Sequence, residues 1–353
     1  MLIQNVPTPA ILLDKKIMEE NSRKMDELIR GTSMVLYPHY KSHKCPGLAR
    51  WQMAHGAGGI TCAKLGEAQD LVEAGIPVVV IANQIVQPEK LEKLALLAGK
   101  ASMTVCADDP DNVLALEAAC AKAGTRLNVL VEYEVGMQRC GAETHAEVLQ
   151  LAQLIRRQKH LNFAGIQAYA GQLSHETEAA RRKTEILRIE KDVAALKAFV
   201  EQHGIPVRHV CGGSTGTAAD KPKDTVYTQL QAGSYLFMDA SYERLGLVFR
   251  QAMFILTTVV SVKKDRIVTD CGVKSLAMDQ VTPRYAAFPD AALSFSEEHT
   301  TLFVEGAPLK GGDKLLAIPG HCCTTNNSFE KILLVESGEI LKEMPVTSRG
   351  KAW

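Results

Sequence analysis

The chain has 353 residues, 46% of them hydrophobic, and its 40 Lys and Arg residues balance its 40 Asp and Glu residues. This composition predicts a folded protein with a full core, and it excludes a disordered chain, a polybasic nucleic-acid binder and an acidic tail. No segment has the roughly 18 to 20 consecutive apolar residues of a membrane helix, and the opening MLIQNVPTPAILLDKK lacks the pattern of a signal peptide. We therefore predict a cytoplasmic protein without a membrane segment, in which most cysteines are reduced.

Short apolar runs alternate with amphipathic segments as far as about Asp239, which is typical of parallel β/α units. Helices are predicted at Lys16–Arg30, Leu65–Ala74 and Glu178–His203, among others. Eight candidate strands are found, and eight is the number that closes a TIM-type (β/α)8 barrel of the α/β class. They are Met34–Tyr37, Gly59–Ala63, Val78–Ala82, Ala101–Cys106, Leu127–Glu132, Phe163–Tyr169, Val207–Cys211 and Thr228–Gln231.

A ninth apolar run, Ala10–Leu13, precedes the first barrel strand and must join another sheet. After Asp239 the sequence becomes rich in β-forming residues and turns, and helical periodicity nearly disappears. We predict a second, C-terminal all-β domain that the N-terminal strand completes. The predicted domains are residues 15–240 for the barrel, and residues 1–14 with 241–353 for the β domain.

A lysine follows the first predicted barrel strand, in the segment YPHYKSHK at residues 37–44. Lys41 would therefore lie at the carboxyl end of that strand, where barrel enzymes carry out their chemistry. A lysine in this place can form a Schiff base with a carbonyl compound. The alternative is a basic loop in solvent, and this segment alone does not decide between the two.

Two loops of small residues follow the seventh and eighth predicted barrel strands. Loops at these positions commonly bind a phosphate through backbone amides and hydroxyls. The predicted phosphate-binding residues are Ser214, Thr215, Gly216, Thr217, Gly233, Ser234 and Tyr235. For either loop alone an ordinary tight turn is the alternative.

Three more polar residues are predicted at the same end of the barrel. Arg139 comes after the fifth strand, while Tyr169 and His175 come at the end of the sixth. Each of them alone could be an ordinary packing residue. Their convergence with Lys41 and the two loops favours an active site, because parallel barrel strands all end at one mouth.

The segment PGHCCT in the predicted β domain contains His321 and Cys323. Their i, i+2 spacing would place both side chains on one side of an extended strand. An imidazole and a thiolate together suit a divalent metal, with zinc favoured. Two ligands are few, and a buried His and Cys pair without a metal is an equal alternative.

Several of these segments resemble motifs of one enzyme family. PHYKSHK is similar to PHxKTHK, QAYAG to QAYxG, GGSTGT to GGTGT, and PGHCC to PxHxC or PGHCD. These motifs belong to the D-threonine aldolase and D-serine dehydratase family of fold-type III pyridoxal 5′-phosphate enzymes, which are related in architecture to alanine racemase. The resemblance extends from TPAILLD through VGMQRCG, AGSYLFMDASY and TDCGVKSLAMD to the C-terminal PGHCC.

The resemblance implies a role for each candidate residue of the barrel. Lys41 would form the Schiff base with pyridoxal 5′-phosphate, and the two small-residue loops would hold the cofactor phosphate. Arg139 would lie near the oxygen on the cofactor ring, and Tyr169 would contact the cofactor. His175 would meet the hydroxyl of the substrate. The predicted catalytic residues are Lys41, Tyr169 and His175.

The resemblance also implies that His321 and Cys323 bind a divalent metal, which could be zinc, manganese or magnesium. Aldolase members of the family have Asp two residues after the motif histidine, whereas dehydratase members have Cys, as this chain does at Cys323. Two smaller departures are Tyr37 in place of the usual Arg and Ser42 in place of the usual Thr.

We predict retro-aldol cleavage of a β-hydroxy-D-amino acid, such as D-threonine or 3-hydroxy-D-aspartate, to glycine and an aldehyde, because the barrel motifs follow the aldolase branch. The alternative is a zinc-dependent dehydratase that acts on D-serine or D-threo-3-hydroxyaspartate and releases a keto acid and ammonia. A racemase would need a second base, for which we find no candidate, and the non-catalytic cofactor-binding proteins of this barrel type lack the β domain. The predicted partners are a small-molecule substrate and a second copy in a homodimer, without nucleic acid.

Overall fold

The computed structural model describes residues 1–353. It divides into two compact units, each assembled from separate stretches of chain. The β unit consists of Met1–Glu27, Ser42–Gly47 and Ser234–Gly350, and the barrel unit consists of Leu28–Lys41, Leu48–Gly233 and Lys351–Trp353. The chain begins with strand β1 (Ala10–Asp14) and helix α1 (Lys15–Ile29).

The barrel unit is built on eight parallel strands, all of which overlap the predicted ones. They are β2 (Val35–Leu36), β3 (Ile60–Cys62), β4 (Val78–Gln84), β5 (Ser102–Ala107), β6 (Leu127–Glu132), β7 (Leu161–Gln167), β8 (His209–Gly212) and β9 (Gln229–Leu230). They pair consecutively from β3 to β9, and β2 lies beside β9. A parallel bridge between His39 and Thr61 joins the continuation of β2 to β3. This bridge closes the ring, which confirms the predicted barrel.

Helices connect the strands of the barrel. They are α2 (Pro46–Ala54), α3 (Leu65–Glu73), α4 (Pro88–Ala98), α5 (Pro110–Ala123), α6 (His145–Arg157) and α7 (Ala179–Gln202). Sequence signals explain their ends: the Asp109 side chain accepts from two backbone N–H groups at the start of α5, and Gly124 ends that helix at φ 66°. The three helices predicted explicitly are present to within one residue at each end. No helix of the protein combines the length and apolarity needed to cross a membrane.

Besides β1 and most of α1, the β unit contains further strands of a mixed sheet and two short helices. These elements are α8 (Ala240–Glu243), β10 (Met253–Val262), β11 (Arg266–Thr269), β12 (Arg284–Tyr285), β13 (Ala292–Phe295), β14 (Thr300–Phe303), β15 (Lys314–Ile318), α9 (Cys322–Asn326), β16 (Lys331–Glu336) and β17 (Glu339–Pro345). The main sheet order is β13-β14-β11-β10-β1-β16-β17, and β15 pairs with β10 and β12. The fold is therefore the predicted α/β barrel with a second, mainly β unit.

Strand β1 occupies the middle of the sheet in the β unit. It is antiparallel to β10, where Ile11 lies opposite Ile255, and parallel to β16, where Ile11 lies opposite Ile332. Its three central residues are buried on both faces, which explains the uninterrupted apolar run of the sequence. The prediction that the N-terminal strand joins the C-terminal β region is confirmed.

Candidate active site

Lys41 lies in the short turn Tyr40–Ser42 that follows β2. Tyr40 is fully buried, and its hydroxyl donates to Asp70 Oδ2 at 3.4 Å. The backbone N–H of Lys41 donates to His39 Nδ1 at 3.4 Å, whereas the Lys41 side chain is exposed. The backbone that carries Lys41 is therefore anchored, and its amine is accessible to a ligand at the carboxyl end of β2.

Arg139 lies over the ring of Tyr169. The guanidinium carbon is 5.8 Å from the ring centroid, within the range of a cation–π contact. Arg139 Nη2 also lies 3.9 Å from Glu132 Oε1, at the end of β6. Half of the Arg139 side chain remains exposed, so it has N–H donors left for an anionic group. The structure thus brings together two residues that the sequence placed on neighbouring strand ends.

His175 lies near Tyr169 in the chain and is connected to it through Ser174. The Tyr169 hydroxyl is 3.2 Å from Ser174 Oγ, and Ser174 is buried. His175 is partly exposed in the segment between the short turn Gly171–Leu173 and α7. A partly exposed imidazole next to a fixed residue is suited to proton exchange with a bound molecule.

The first small-residue loop follows β8, and its residues Ser214 and Thr217 are hydrogen-bonded to each other. The Ser214 N–H donates to Thr217 Oγ1 at 3.0 Å, and the hydroxyl oxygens of the two residues are 3.2 Å apart. A Cβ atom on Gly212 would lie 2.3 Å from the carbonyl oxygen of Ala168, and Gly212 has φ 152°. Only glycine therefore fits where the strand turns into the loop. The residues from Ser214 to Thr217 are all buried.

In the β unit, the second loop lies beside a residue of the proposed metal motif. Ser234 and Tyr235 are buried, and the Met238 N–H donates to the Ser234 carbonyl oxygen at 2.8 Å. The hydroxyl of Ser234 lies 3.8 Å from Cys323 Sγ. A residue predicted to hold phosphate and a residue predicted to hold metal are thus neighbours.

The prediction of an extended strand at His321 and Cys323 is wrong. His321 has extended backbone angles but is the N-cap residue of α9, so Cys323 lies in the first turn of a helix. The cause is Asp239, whose buried carboxylate accepts from the Cys322 N–H at 2.8 Å and from the Tyr242 N–H at 2.9 Å. An anionic acceptor at the first amides of a helix stabilises the helical turn. Burial nevertheless raises the pKa of Asp239.

Despite this difference, the side chains of His321 and Cys323 interact. Burial lowers the pKa of His321, but hydrogen bonding and charge interactions with Cys323 and then with Asp279 outweigh it and raise that pKa to about 9. His321 Nδ1 lies 2.7 Å from Asp279 Oδ2. Thr324 donates to the same carboxylate oxygen at 3.2 Å. No group of three or more His, Cys, Asp or Glu side chains in the structure is arranged as a metal cluster.

Comparisons with known proteins are consistent with this geometry. The family model for the alanine racemase N-terminal domain matches residues 13–241, and a serine dehydratase domain model matches residues 252–335. The chain is 37% identical to a D-threonine aldolase of Arthrobacter sp. over 99% of this chain and 94% of that protein. The chain belongs to the D-threonine aldolase family. It is also 34% identical to the 3-hydroxy-D-aspartate aldolase of Paracoccus denitrificans (strain Pd 1222), over 99% of this chain and 93% of that protein.

A solved structure of a D-threonine aldolase family member has the same fold. The D-threonine aldolase from Filomicrobium marinum superposes with a TM-score of 0.95 at 35% identity, and the match covers 100% of this chain and 99% of that chain. The family and its alanine racemase-like barrel imply pyridoxal phosphate as the cofactor.

The residues of the barrel unit fit the cofactor that the D-threonine aldolase family implies. Lys41, Arg139, Tyr169 and His175 all follow carboxyl strand ends of one closed barrel. The hydroxyls of Ser214 and Thr217, with glycines before them, form a donor set suited to a phosphate.

The residues of the metal motif also fit a divalent ion by their chemistry. His321 offers an imidazole nitrogen, Cys323 a thiol and Asp279 a carboxylate, and the hydrogen bond of Asp279 orients the imidazole. A nitrogen and sulfur donor pair favours zinc over magnesium.

Sequence reasoning missed two residues of this region, Asp279 and Asp239. Both lie inside segments noted for their family resemblance, SLAMD and FMDASY, yet neither received a role. The signal that could have found Asp279 is a carboxylate at the end of a motif in the same domain as His321. Its contact with His321 spans 42 residues of sequence, so no local spacing rule reveals it.

Proposed function

We propose that the chain is a pyridoxal phosphate-dependent carbon–carbon lyase that cleaves β-hydroxy-D-amino acids, of the D-threonine or 3-hydroxy-D-aspartate type, to glycine and an aldehyde. One observation carries the proposal, namely the full-length similarity to D-threonine aldolase in a barrel with Lys41 at the carboxyl end of β2. The similarity spans both units, so it includes the metal motif as well as the barrel.

Pyridoxal phosphate supplies an electron sink for the charge that develops at Cα when the bond to Cβ breaks. In our proposal Lys41 holds the cofactor covalently through its amine. Ser214 and Thr217 hold the phosphate through their hydroxyls, and Thr215, Gly216, Gly233, Ser234 and Tyr235 complete the loops around it. Arg139 would donate to the oxygen on the cofactor ring, and Tyr169 would contact the cofactor while its ring positions the Arg139 guanidinium.

Cleavage requires a base for the β-hydroxyl proton of the substrate, and we assign that role to His175. Its partial exposure allows the imidazole to exchange the proton with solvent after each turnover. His321 and Cys323 would hold a divalent metal, with Asp279 orienting the imidazole of His321. Such a metal supplies a Lewis acid that acidifies the β-hydroxyl.

A second candidate function is dehydration of D-serine or D-threo-3-hydroxyaspartate. One observation favours it: the residue two positions after His321 in the metal motif is Cys323, the residue type that dehydratase members have there. In that reaction Lys41 would remove the Cα proton, and hydroxide would leave from Cβ. This loss of water would leave an enamine, and hydrolysis of the released enamine by water would give a keto acid and ammonia.

The test uses the purified holoenzyme with D-threonine and D-serine in separate incubations. Our proposal expects glycine and acetaldehyde in equal amounts from D-threonine, measured by amino-acid analysis and an alcohol dehydrogenase assay. Keto acid and ammonia from D-serine, without glycine from D-threonine, would establish the dehydratase instead. L-threonine serves as the control for stereochemistry and should not be cleaved.

We further propose that the enzyme works as a homodimer in the cytoplasm. Support comes from the family alone, because the structure describes one chain. Light scattering of the holoenzyme after size exclusion should give twice the 38.4 kDa mass of the chain. A mass of 38.4 kDa at micromolar concentration would contradict the dimer.

A further inference from the structure

The barrel has a cavity at the end opposite to Lys41. Its volume is about 700 Å³, and residues before and at the amino ends of several strands line it. Three of its cationic residues precede consecutive strands: Arg126 comes before β6, Lys159 before β7 and Arg208 before β8. A fourth, Arg156, comes from the last turn of α6. This cavity takes no part in the proposed reaction.

The charged residues that line this cavity are all cationic. Its lining includes the four cations named above and no aspartate or glutamate, whereas the whole chain has a net charge of zero. Glu117 accepts from the backbone N–H of the lining residue Lys159 at 3.3 Å, and its carboxylate is also engaged by the His160 ring at 2.8 Å. A concave surface lined by one sign of charge concentrates the electrostatic field and attracts counter-ions.

Aromatic and hydrogen-bonding side chains also line the cavity. Tyr37 and Phe163 line it together with core residues of the barrel, and Tyr37 packs against a buried cluster that includes Val80 and Leu130. Burial raises the pKa of Tyr37, so its hydroxyl stays neutral and can donate a hydrogen bond. The amide of Asn128 also lines the cavity.

We propose that this cavity binds an anion with several phosphate groups, either an inorganic polyphosphate or a nucleotide. Neighbouring parallel strands are about 4.8 Å apart, so the backbones before β6, β7 and β8 present three cations along an arc of roughly 10 Å, which one anion with several phosphate groups can span. Arg126 and Arg208 carry guanidinium groups, which bind phosphate oxygens in a bidentate manner. The volume is within the range of small-molecule sites, roughly 300 to 1,000 Å³.

The test is calorimetric titration of the cofactor-saturated holoenzyme with inorganic tripolyphosphate and, separately, with ATP, without added metal. Saturation with pyridoxal phosphate keeps its own phosphate site occupied. We expect one additional site per chain with a dissociation constant of about 100 μM or lower, weakening as salt rises. Equal affinity for both probes identifies a polyphosphate site, and tighter ATP binding identifies a nucleotide site in which the aromatic wall contacts the base.

Substitutions of arginines inside and outside the cavity lining test whether the anion binds in this cavity. The double variant Arg126→Gln with Arg208→Gln should weaken tripolyphosphate binding by about tenfold or more, because it removes two charge-assisted contacts. The matched control is Arg157→Gln, which removes an exposed arginine of the same basic helix end that does not line the cavity. The control should bind like the unmodified protein.

Absence of saturable binding of both probes up to about 1 mM would overturn the proposal. So would an equal loss of binding in the Arg157→Gln control, because the effect would then report general surface charge. Aldolase activity is not the readout, so failure of this proposal leaves the proposed function untouched. Circular dichroism of the double variant checks that the barrel is folded, and the exposed positions of both arginines make this the expected result.

Discussion

Arg182 forms a buried ion pair with Asp220, in which Arg182 Nε lies 2.6 Å from Asp220 Oδ2 and the side chains are 5% and 14% exposed. The same guanidinium donates through Nη1 to the carbonyl oxygen of Glu176 at 2.7 Å. Asp220 follows the loop that ends at Thr217, and Glu176 is the residue after His175. One side chain of α7 therefore positions both the proposed phosphate loop and the segment that carries the proposed base.

We expect Arg182→Lys to weaken the positioning of both the proposed phosphate loop and the segment that carries His175. A lysine keeps the charge, but its single ammonium cannot reproduce the planar donor geometry that serves Asp220 and Glu176 together. The free energy of unfolding should fall by about 2 kcal/mol, measured by urea denaturation. Affinity for pyridoxal phosphate and kcat should each fall by about tenfold, measured by cofactor titration and steady-state kinetics.

The control for this prediction is Arg181→Lys. Arg181 is 67% exposed and lies 3.4 Å from Glu176 Oε2, so it forms a solvent-screened pair with the same glutamate. Its replacement should change stability by less than about 0.5 kcal/mol and leave kcat unchanged. If Arg182→Lys lowered stability while cofactor affinity and kcat stayed normal, Arg182 would be structural only.

Lys41 and Lys44 give a direct test of which lysine holds the cofactor. Lys44 donates to Asn327 Oδ1 at 2.8 Å, whereas the side chain of Lys41 is exposed after the first barrel strand. Lys41→Ala should abolish borohydride-stable labelling with pyridoxal phosphate and reduce turnover by at least about a thousandfold. Lys44→Ala should remain labelled. Peptide mass spectrometry that finds the label on Lys44 would reassign the role.

Removal of metal should separate the two proposed cofactors. Because pyridoxal phosphate would be held covalently and through its phosphate, dialysis against a chelator should leave its absorbance unchanged while activity falls and returns with added zinc or manganese. His321→Ala should lower the bound metal, measured by elemental analysis, at unchanged cofactor content. Full activity of metal-free protein would show that His321 and Cys323 are ordinary packing residues.

The identity of the residue at Cys323 should set metal preference. Carboxylate is a harder ligand than thiolate, so Cys323→Asp should shift the preferred ion from zinc towards manganese. If the enzyme is an aldolase, the variant should keep its cleavage of D-threonine, assayed with each ion in turn. Loss of D-serine turnover without any D-threonine cleavage would instead fit a zinc-dependent dehydratase.

The buried thiol of Cys211 should make stability fall with pH in the alkaline range. Burial raises the pKa of this thiol well above its ordinary value of 9.0, so the native state keeps the proton that the unfolded chain loses above that pH. The unfolded state then binds fewer protons, and the free energy of unfolding falls by up to about 1.4 kcal/mol per pH unit for each such thiol. Urea denaturation between pH 7 and 10 under reducing conditions measures this slope.

In Cys211→Ala the slope above pH 9 should be shallower by that amount. Between pH 6 and 7 the thiol of Cys211 is protonated in both the native and the unfolded state, so the free energies of unfolding of variant and parent should differ there only by the constant cost of the lost packing. An unchanged alkaline slope in the variant would mean that Cys211 ionises in the native state as readily as in the unfolded chain.

The sequence predicted the barrel well because the apolar residues of each strand and helix follow a pattern that is visible within the element itself. Leu127–Glu132 and Leu65–Glu73, for example, are apolar in patterns that neighbouring residues alone define. It failed at α9, where the helix start depends on the Asp239 carboxylate, 83 residues earlier. Asp279 and Arg182 were missed for the same reason, since Asp279 contacts His321 across 42 residues of sequence and Arg182 contacts Asp220 across 38.

The central place of β1 has a consequence for the order of events during synthesis. This strand is synthesised before both of its neighbours in the sheet, since β10 and β16 begin at Met253 and Lys331. At roughly 5 to 20 residues per second, β1 must wait on the order of ten seconds or more for the first of them. During that interval an apolar strand has no sheet to join, while all eight barrel strands are synthesised. A nascent chain should therefore recruit chaperones at residues 10–14 until β10 and β16 emerge.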